Sequence, residues 1–379
     1  MKIIADNNIA YADRAAACLG EVEIVDGADL SAERLRDCDI LLCRSTRRID
    51  AAMLEGTNVR FVATATIGTD HIDFDYLKEH HIGFASAPGS NANSVSEYVA
   101  SALLVLAERY NRRLRDMTLG VIGVGNVGSR VVRKAKALGM SVLPNDPPLE
   151  RETGDIRFRP IEDLMEADVL TVHVPLAREG QDATYHMINE PFLRQMRPGA
   201  MLINTSRGAV VDGQALGTAL TDGRLEAAVL DVWEGEPMID TDLLAKVDIG
   251  TPHIAGYSLD GKANGTKMVV DAACEFLGIE TRWDPAADLP PPDIPELELD
   301  ATGRDDEDVV RRAVFALYDV RRDDEELRRI PTDDTRGDSF RGLRKGYWPR
   351  RAFHHTRVEV AGGSPELEAA LAGLGFRVD

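Results

Sequence analysis

The glycine-rich stretch from Gly120 to Gly128 constrains the fold of this chain more than any other segment. It follows an apolar run, Met117–Ile122, and precedes a run of helical composition. A strand, a turn with glycines at 123, 125 and 128, and a helix together form the start of a dinucleotide-binding βαβ unit. We expect the first glycine to allow a tight turn, the second to let the backbone approach a pyrophosphate, and the third to let the helix lie close to the strand. Amide groups at the helix start would face the phosphate charge.

A carboxylate follows this unit at the position that a ribose contact needs. The second apolar run, Met140–Leu143, ends near Asp146, about 20 residues beyond the first glycine. An acid there is expected to bind the adenosine ribose hydroxyl groups. Because a carboxylate repels a 2′-phosphate, the sequence favours NAD over NADP. The alternative is a surface acid beside structural glycines, which the flanking strand and helix disfavour.

The composition of the chain limits the classes of molecule that it is expected to bind. A net charge of −20 argues against nucleic acid or an anionic membrane surface as the ligand. The apolar run Tyr98–Ala107 is too short to span a bilayer, and the first residues do not resemble a signal peptide. The four cysteines have neither metal-binding nor redox spacing, so we expect no metal site and free thiols in a reducing cytoplasm.

Residues 1 to about 93 alternate short apolar runs with helix-like segments, which predicts a parallel sheet. The expected strands are Lys2–Ala5, Val22–Val25, Ile40–Cys43, Phe61–Ala65 and Gly83–Ala85. Ligands of such sheets bind beyond the carboxyl ends of the strands, where Arg44, Ser45 and Thr66 stand. An arginine with hydroxyl groups suits a small anionic, hydroxylated molecule. Ordinary loop capping by serine and threonine is an equally good interpretation of these residues on their own.

The rest of the chain divides into two further predicted domains. Ser94 and Glu97 match a capping box and predict a helix from there to about Arg115. A proline-rich linker follows Leu289, and beyond it Asp306–Leu327 is helix-like. The end of the chain has the pattern strand, helix, strand. We therefore predict a substrate domain at 1–93 and 258–285, an NAD-binding domain at 94–257, and a C-terminal domain at 286–379.

The expected strand ends of the central domain carry the groups that hydride transfer needs. Oxidation of a 2-hydroxy acid by NAD requires a base for the hydroxyl proton, a carboxylate that orients the base, and an arginine for the substrate carboxylate. His253, Glu236 and Arg207 supply one of each. They follow the predicted strands Val247–Gly250, Ala227–Leu230 and Ala200–Asn204, respectively. The alternative for His253 is a buried histidine with satisfied hydrogen bonds.

Three motifs around these residues resemble the D-2-hydroxyacid dehydrogenase family. They are Asn204–Gly208, Leu230–Pro237 and Thr251–Gly256, and they follow the glycine turn in the family's order. The resemblance implies an NAD-dependent oxidoreductase in which Arg207 binds substrate and Glu236 pairs with His253, the proton donor.

The resemblance also implies the wider site. Expected substrate contacts are Ser45, Thr66 and Tyr257, with Arg44 as a local cation. Expected cofactor contacts are Gly123, Gly125, Asn126, Val127, Gly128, Asp146, Val174, Ser206, Asp231 and Gly256. One departure from the family pattern is the pair Pro144 and Asn145 before Asp146, which would shift the ribose contact without abolishing it.

The C-terminal region narrows the resemblance to a branch of the family that acts on a phosphorylated 2-hydroxy acid. The run Phe340–Tyr347 followed by Arg350 and Arg351 resembles the dimerisation domain of that branch, which implies a cytoplasmic homodimer. We expect Arg344 or Arg350 to reach a phosphate site from this domain, either in the same chain or across the dimer. A salt-bridge cluster at the dimer surface is the alternative.

The fold expected from these patterns is α/β. It comprises two doubly wound parallel-sheet domains, a flavodoxin-like substrate domain and a Rossmann NAD domain, plus a smaller α+β dimerisation domain. Two functional alternatives remain open at this point. One is a sister dehydrogenase for phosphoglycerate, glycerate or hydroxypyruvate, and the other is a non-catalytic NADH-sensing protein.

Overall fold

The computed structural model describes residues 1–280 and 282–378. Contacts divide the chain into two compact units, Met1–Asn91 with Ser258–Pro291 and Ala92–Tyr257 with Pro292–Asp379. The boundaries of the three expected domains stay a prediction, and the ranges given for them include Thr281 and Asp379, which lie outside the described residues. Among the described residues, none of the helices combines the length and the apolar character that crossing a bilayer requires.

The described residues form fourteen strands and fifteen α-helices. The strands are β1 (Lys2–Asp6), β2 (Glu21–Val25), β3 (Ile40–Cys43), β4 (Phe61–Thr64), β5 (Gly83–Ser86), β6 (Thr118–Ile122), β7 (Ser141–Asn145), β8 (Val169–Val172), β9 (Ala200–Asn204), β10 (Leu225–Leu230), β11 (Ile249–Gly250), β12 (Glu296–Asp300), β13 (Arg357–Ala361) and β14 (Arg377–Val378). The helices are α1 (Ala12–Ala15), α2 (Ala32–Leu35), α3 (Ala51–Leu54), α4 (Phe74–Glu79), α5 (Ala92–Arg109), α6 (Asn126–Ala137), α7 (Pro147–Thr153), α8 (Glu190–Gln195), α9 (Gly213–Thr221), α10 (Thr241–Leu244), α11 (Leu259–Leu277), α12 (Asp306–Leu317), α13 (Arg321–Arg328), α14 (Arg336–Lys345) and α15 (Pro365–Leu374).

The first unit is built on a five-stranded parallel sheet in the order β2-β1-β3-β4-β5, which is the flavodoxin-like order. Successive side chains of β1 enter different cores, because side chains alternate between the two faces of a strand. Ile3 packs with α1 and α11 on one face, and Ile4 packs with α2 and α3 on the other. Both faces are covered, so the inner strands β3 and β4 are buried throughout, whereas the edge strand β2 carries Glu21 and Glu23. The sequence predicted all five strands.

The second unit contains a six-stranded parallel sheet in the order β11-β10-β9-β8-β6-β7. The direction of strand succession reverses at β6, and ligands of open α/β sheets bind at such a switch point. The glycine turn follows β6 directly. Helices α5 and α6 cover one face of the sheet, and α8, α9 and α10 cover the other. The predicted α/β class with two doubly wound parallel sheets is confirmed.

The C-terminal segment forms a small parallel sheet in the order β12-β13-β14 and packs within the second unit. Helix α15 lies close to α6, since a Cβ on Gly373 would come within 2.6 Å of the Cβ of Ala137. The single helix expected over Asp306–Leu327 is broken into α12 and α13. Ser101 on α5 explains the break, because its hydroxyl donates to the carbonyl of Tyr318 at 3.0 Å and accepts from the amide of Val320 at 3.1 Å.

The capping box expected at Ser94 and Glu97 is wrong. Helix α5 begins earlier, at Ala92. The Glu97 carboxylate instead forms an ion pair of 2.8 Å with Arg350, and both side chains are only 1% exposed. It also accepts from the amide of Phe353 at 2.9 Å. Local spacing suggested a cap, but it could not reveal the true partner of Glu97, which lies far along the chain.

Arg350 anchors the C-terminal segment to α5. Its guanidinium donates to the carbonyl of Ser94 at 3.0 Å and lies 4.1 Å from the ring centroid of Tyr318. Burial alone would lower the pKa of Arg350, but Tyr347 and Glu97 raise it above its ordinary value. A guanidinium so enclosed and so paired contradicts the prediction that Arg350 reaches a phosphate site.

Replacing Arg350 with Met should lower the free energy of unfolding by about 3–5 kcal/mol, because the Glu97 carboxylate would stay buried without its cation. Denaturant titration of both proteins measures the loss. The matched control is Arg329→Met, which removes exposed pairs with Glu325 and Glu326 and should cost less than about 1 kcal/mol. Equal losses in the two variants would contradict the anchoring role.

Candidate active site

The glycine turn after β6 has the shape expected at a dinucleotide phosphate. Gly123 has φ of +85°, and a Cβ there would lie 2.7 Å from the carbonyl oxygen of His173. A Cβ on Gly128 would lie 1.9 Å from the carbonyl oxygen of Gly123, so only glycine lets α6 come this close. A Cβ on Gly125 would meet no protein atom within 4 Å. Two glycines therefore serve the protein's own packing, and the third faces space that a phosphate fits.

The start of α6 is suited to an anion. The helix begins at Asn126 with Gly125 as its N-cap, and no side chain caps it. The first amide groups of a helix need acceptors from outside it, and a phosphate can supply them. Val174, after β8, borders the same turn, since a Cβ on Gly123 would come within 2.9 Å of its Cγ1. The expected cofactor residues Asn126, Val127 and Val174 thus lie around one turn.

Asp146 ties the end of β7 to the glycine turn. Its Oδ2 accepts from the amide of Val124 at 2.8 Å, and its Oδ1 accepts from the amide of Leu149 at 3.0 Å as the N-cap of α7. Each carboxylate oxygen keeps a second lone pair for a ribose hydroxyl. The unusual Pro144 is accommodated because β7 is an edge strand of the sheet, where one missing amide is tolerated.

His253 and Glu236 form a hydrogen-bonded pair. The Nδ1 atom of His253 lies 2.8 Å from Oε2 of Glu236. Glu236 is itself oriented, because its Oε1 accepts from the amide of Trp233 at 2.7 Å. Since Nδ1 is engaged by the carboxylate, Nε2 is the ring nitrogen that can exchange a proton with a substrate.

The electrostatic balance at Glu236 favours the ionised carboxylate. Burial alone would raise the pKa of Glu236. The charge and hydrogen bond of His253, the amide of Trp233 and the charge of Arg344 outweigh burial and lower that pKa below its ordinary value. The carboxylate is therefore negative over the physiological range and can stabilise a protonated imidazole.

Asp231 holds the backbone on which His253 stands. Its buried carboxylate accepts from the hydroxyl of Thr251 at 2.7 Å and from the amides of Ile254 and Ala255 at 2.7 and 3.0 Å. The amide of His253 donates to the Asp231 carbonyl at 2.7 Å. His253 has φ of +57°, which a non-glycine residue rarely adopts unless its surroundings enforce it. Asp231 thus fixes the loop that carries His253, and the expected contact of Asp231 with NAD stays a prediction.

Arg207 stands on a turn that Asn204 fixes. Buried Asn204 at the end of β9 accepts from the amide and hydroxyl of Ser206 at 3.0 and 2.8 Å and donates to the carbonyl of Arg207 at 3.0 Å. The guanidinium of Arg207 donates to the carbonyl of Ser206 at 2.8 Å. A Cβ on Gly208 would lie 2.0 Å from backbone atoms of Trp233, so glycine lets this turn meet the segment that leads to Glu236.

His173 lies beside the glycine turn, and the sequence did not single it out. Its ring nitrogens lie 2.9 Å from the hydroxyl of Thr171 and 3.2 Å from that of Thr205, which link the ends of β8 and β9. Burial lowers the pKa of His173 to about 3, so the ring is neutral. Asn204 was likewise missed as an orienting group, because its role depends on hydrogen-bond partners that spacing alone does not reveal. Gly256 lies in a turn closed by the amide of Tyr257 and the carbonyl of Ile254 at 2.7 Å.

The first unit carries the remaining expected substrate residues. Arg44 and Ser45 follow β3, and Thr66 follows β4, so they stand at the carboxyl ends of neighbouring strands. The Arg44 guanidinium donates to the carbonyl of Asn8 at 3.3 Å. Lys262 on α11 is a second cation near Arg44, because burial and then the charge of Arg44 lower the pKa of Lys262. Two neighbouring cations at this edge suit an anionic ligand.

Comparison with known families supports the same chemistry. Residues 96–255 match the family described as D-isomer specific 2-hydroxyacid dehydrogenase, NAD binding domain. Residues 289–375 match a domain of unknown function, DUF3410.

Curated relatives match along the whole chain. The erythronate-4-phosphate dehydrogenase of Sodalis glossinidius (strain morsitans) is 47% identical over 379 residues, covering 100% of this chain and 98% of the relative. The enzyme of the same name from Yersinia enterocolitica is 47% identical over 378 residues, covering 99% of each.

Solved structures are similar over about three quarters of the chain. D-lactate dehydrogenase from Aquifex aeolicus, complexed with NAD and lactic acid, is 26% identical with a TM-score of 0.59, covering 73% of this chain and 96% of that chain. D-2-hydroxyisocaproate dehydrogenase is 25% identical with a TM-score of 0.61, covering 73% and 97%.

Gly125→Ala and Gly128→Ala should separate cofactor binding from folding. Gly125→Ala should raise the dissociation constant of NAD by about 10-fold or more, because the new methyl occupies the space expected for phosphate. Its unfolding free energy should stay within about 1 kcal/mol of the original. Gly128→Ala should lose about 1–3 kcal/mol or more of stability from overpacking. Calorimetric titration with NAD and denaturant unfolding measure both effects, and normal NAD affinity in Gly125→Ala would contradict the assignment.

Glu236→Gln should remove a stabilisation that depends on pH. The folded-state pKa of Glu236 lies below its ordinary value of 4.5, so the ionised pair stabilises the fold fully above that value and loses this effect as the pH falls through the folded-state pKa. The difference in unfolding free energy between the original protein and Glu236→Gln should therefore be largest above about pH 5 and shrink in acid.

The control for Glu236→Gln is Glu234→Gln, which alters a more exposed pair with His186 at 2.6 Å. The activity of the Glu234→Gln variant should stay unchanged, whereas Glu236→Gln should lower kcat by about 10-fold or more. A pH-independent stability difference for Glu236→Gln would contradict the electrostatic account.

Proposed function

Because the chain belongs to the D-isomer specific 2-hydroxyacid dehydrogenase family, we propose that it oxidises 4-phospho-D-erythronate with NAD. The product is 3-hydroxy-2-oxo-4-phosphobutanoate, and the reaction belongs to the synthesis of pyridoxal 5′-phosphate, vitamin B6. The family membership expected from the four motifs is confirmed, and with it NAD as the cofactor and the oxidoreductase class.

One observation carries the choice of substrate. Relatives that bear the name erythronate-4-phosphate dehydrogenase match this chain from end to end at 47% identity. The match therefore includes the C-terminal segment, whereas D-lactate dehydrogenase covers 73% of this chain. A sister dehydrogenase without this segment would leave residues 289–375 unmatched.

The proposed base is His253. Its Nε2 would accept the proton of the substrate 2-hydroxyl while Nδ1 stays bonded to Glu236. The Glu236 carboxylate would stabilise the positive charge that the imidazole gains, and the amide of Trp233 keeps that carboxylate in place. Asp231 prevents the loop from moving the base away, because it bonds the loop on both sides of His253.

Arg207 would bind the substrate carboxylate. A guanidinium offers two parallel donors to a carboxylate, which orients the 2-hydroxyl and its carbon. NAD supplies the hydride acceptor, so the two electrons and one hydrogen of C2 leave as hydride and the hydroxyl proton leaves to His253. The balance is 2-hydroxy acid plus NAD⁺ giving 2-oxo acid, NADH and a proton.

The proposal extends to the oligomeric state of the protein and to its cellular location. The resemblance of residues 286–379 to a dimerisation domain supports a homodimer formed through the C-terminal segment, and light scattering on the purified protein tests it. The four cysteines are free thiols, which supports the reducing cytoplasm as the location.

Purified protein should reduce NAD when given 4-phospho-D-erythronate, with a higher kcat/KM than for 3-phosphoglycerate, glycerate or the reverse reaction of hydroxypyruvate. Nicotinamide absorbance, followed with and without 2-oxoglutarate as an acceptor for NADH, measures the rate. His253→Ala should lower kcat by about 100- to 10,000-fold and leave NAD binding unchanged. His186→Ala is the matched control, since His186 also pairs with a glutamate but outside the proposed site.

Two outcomes would contradict the proposal. A higher kcat/KM for one of the other acids would favour the sister dehydrogenases. NADH binding without turnover of any of these acids would favour the non-catalytic sensor.

A further inference from the structure

We propose that Arg344 binds the phosphate group of the substrate from within the same chain that supplies His253 and Glu236. This inference rests on the proposed function, in which the phosphate distinguishes the substrate from simpler 2-hydroxy acids. It assigns the C-terminal segment a direct part in substrate recognition.

Helix α14 is fixed against the segment that follows Glu236. A Cβ on Gly337 would lie 2.7 Å from the sulfur of Met238, so the helix backbone touches this segment closely. Phe340 is fully buried in the same apolar cluster as Ile239. The Arg336 side chain donates to the carbonyl of Ile239 at 3.2 Å. The helix therefore has a defined position relative to the catalytic carboxylate.

Arg344 projects from the docked face of this helix. It follows Phe340 by four residues, which places both side chains on one helical face. Its Nη2 lies 3.1 Å from the hydroxyl of Tyr257, and its guanidinium carbon lies 5.7 Å from the centre of that ring. Tyr257 is itself an expected substrate contact, four residues after His253. Arg341, on another face of the helix, is exposed and pairs with Asp338 at 2.8 Å.

Arg344 has no ion-pair partner among the described residues. Among the described residues, no carboxylate lies within ion-pair distance of its guanidinium, and its buried Nε has no hydrogen-bond acceptor. Arg350, six residues on, has both a carboxylate and backbone acceptors. A half-buried guanidinium loses hydration that a bound anion would replace.

The charge of Arg344 also acts on Glu236, the hydrogen-bond partner of His253. After burial and the bonds made by His253 and Trp233, Arg344 contributes to the lowered pKa of Glu236. An anion bound at Arg344 would therefore lie close to a substrate whose hydroxyl meets His253. Because Arg207 is the proposed partner of the carboxylate, the phosphate is the anionic group that remains for Arg344. A planar guanidinium with parallel donors fits phosphate oxygens well.

The competing explanation is structural. Arg344 lies in the last turn of α14, where a cation interacts favourably with the helix dipole, and it could simply support Tyr257. A structural role would affect phosphorylated and unphosphorylated substrates alike. A phosphate contact would affect only the phosphorylated one.

The experiment compares 4-phospho-D-erythronate with D-erythronate in the full-length enzyme. Arg344→Gln should lower kcat/KM for the phosphorylated substrate by about 10- to 100-fold, mainly through KM, and leave kcat/KM for D-erythronate within about twofold. Inhibition of D-erythronate oxidation by inorganic phosphate should weaken by a similar factor. Arg344→Lys should fall between the original enzyme and Arg344→Gln, because it keeps the charge and loses the second donor. Arg341→Gln, on the same helix, should match the original enzyme throughout.

Equal losses on both substrates, or unchanged kinetics and phosphate inhibition in Arg344→Gln, would overturn the assignment. If Arg344→Gln unfolds, Arg344→Lys and the phosphate inhibition constant decide by the same criteria. Failure of the proposed function looks different, since the original enzyme would then not prefer 4-phospho-D-erythronate over other acids. In that case phosphate inhibition with whichever 2-hydroxy acid it oxidises still tests Arg344 by itself.

Discussion

The arrangement of the proposed base, His253, depends on the buried carboxylate of Asp231. Burial raises the pKa of Asp231, and the charge of His253 and the donors around the carboxylate act against that rise. These donors come from both sides of His253, so the carboxylate holds the loop in a backbone conformation that the histidine would not adopt alone. The imidazole thereby meets Glu236 at a distance of 2.8 Å. A buried acid is expensive in free energy unless its oxygens are bonded, and here the same bonds position the proposed base.

The geometry of the proposed site depends on its glycines as much as on its functional side chains. Gly128 brings α6 against the turn that starts at Gly123, and Gly208 brings the turn of Arg207 against the backbone of Trp233. In both places a single methyl group would collide with backbone atoms at 2.0 Å or less. Parallel strands deliver their carboxyl ends to one edge, but the final approach between loops is set by what the backbone can tolerate. Within the second unit, these loops of the proposed site approach each other closely because they have glycine at the points of contact.

The C-terminal segment gives two nearby arginines different roles. Arg350 is enclosed by Glu97, Ser94 and Tyr318 and anchors the segment to α5. Arg344 lies on the face of α14 that is docked beside Glu236 and contacts Tyr257. An anchored segment can hold a recognition residue at a fixed distance from the reacting atoms, which is how positioning contributes to catalysis. The segment thus links stability and proposed specificity within one unit of the chain.

The sequence by itself determined the glycine turn, the residue types at the strand ends and most of the strands, but not β12, where apolar and acidic residues alternate. Apolar runs identify buried parallel strands, and positive φ or close approach at a turn demands glycine, so these features are encoded locally. Tertiary structure alone decided the surroundings of Glu97, Arg344 and Arg350. Spacing assigned Glu97 to a helix cap, whereas its partner is Arg350, 253 residues away. Two arginines of identical chemistry differ because one meets a buried carboxylate and the other does not, and burial and charge pairing depend on distant segments that come together only in the folded chain.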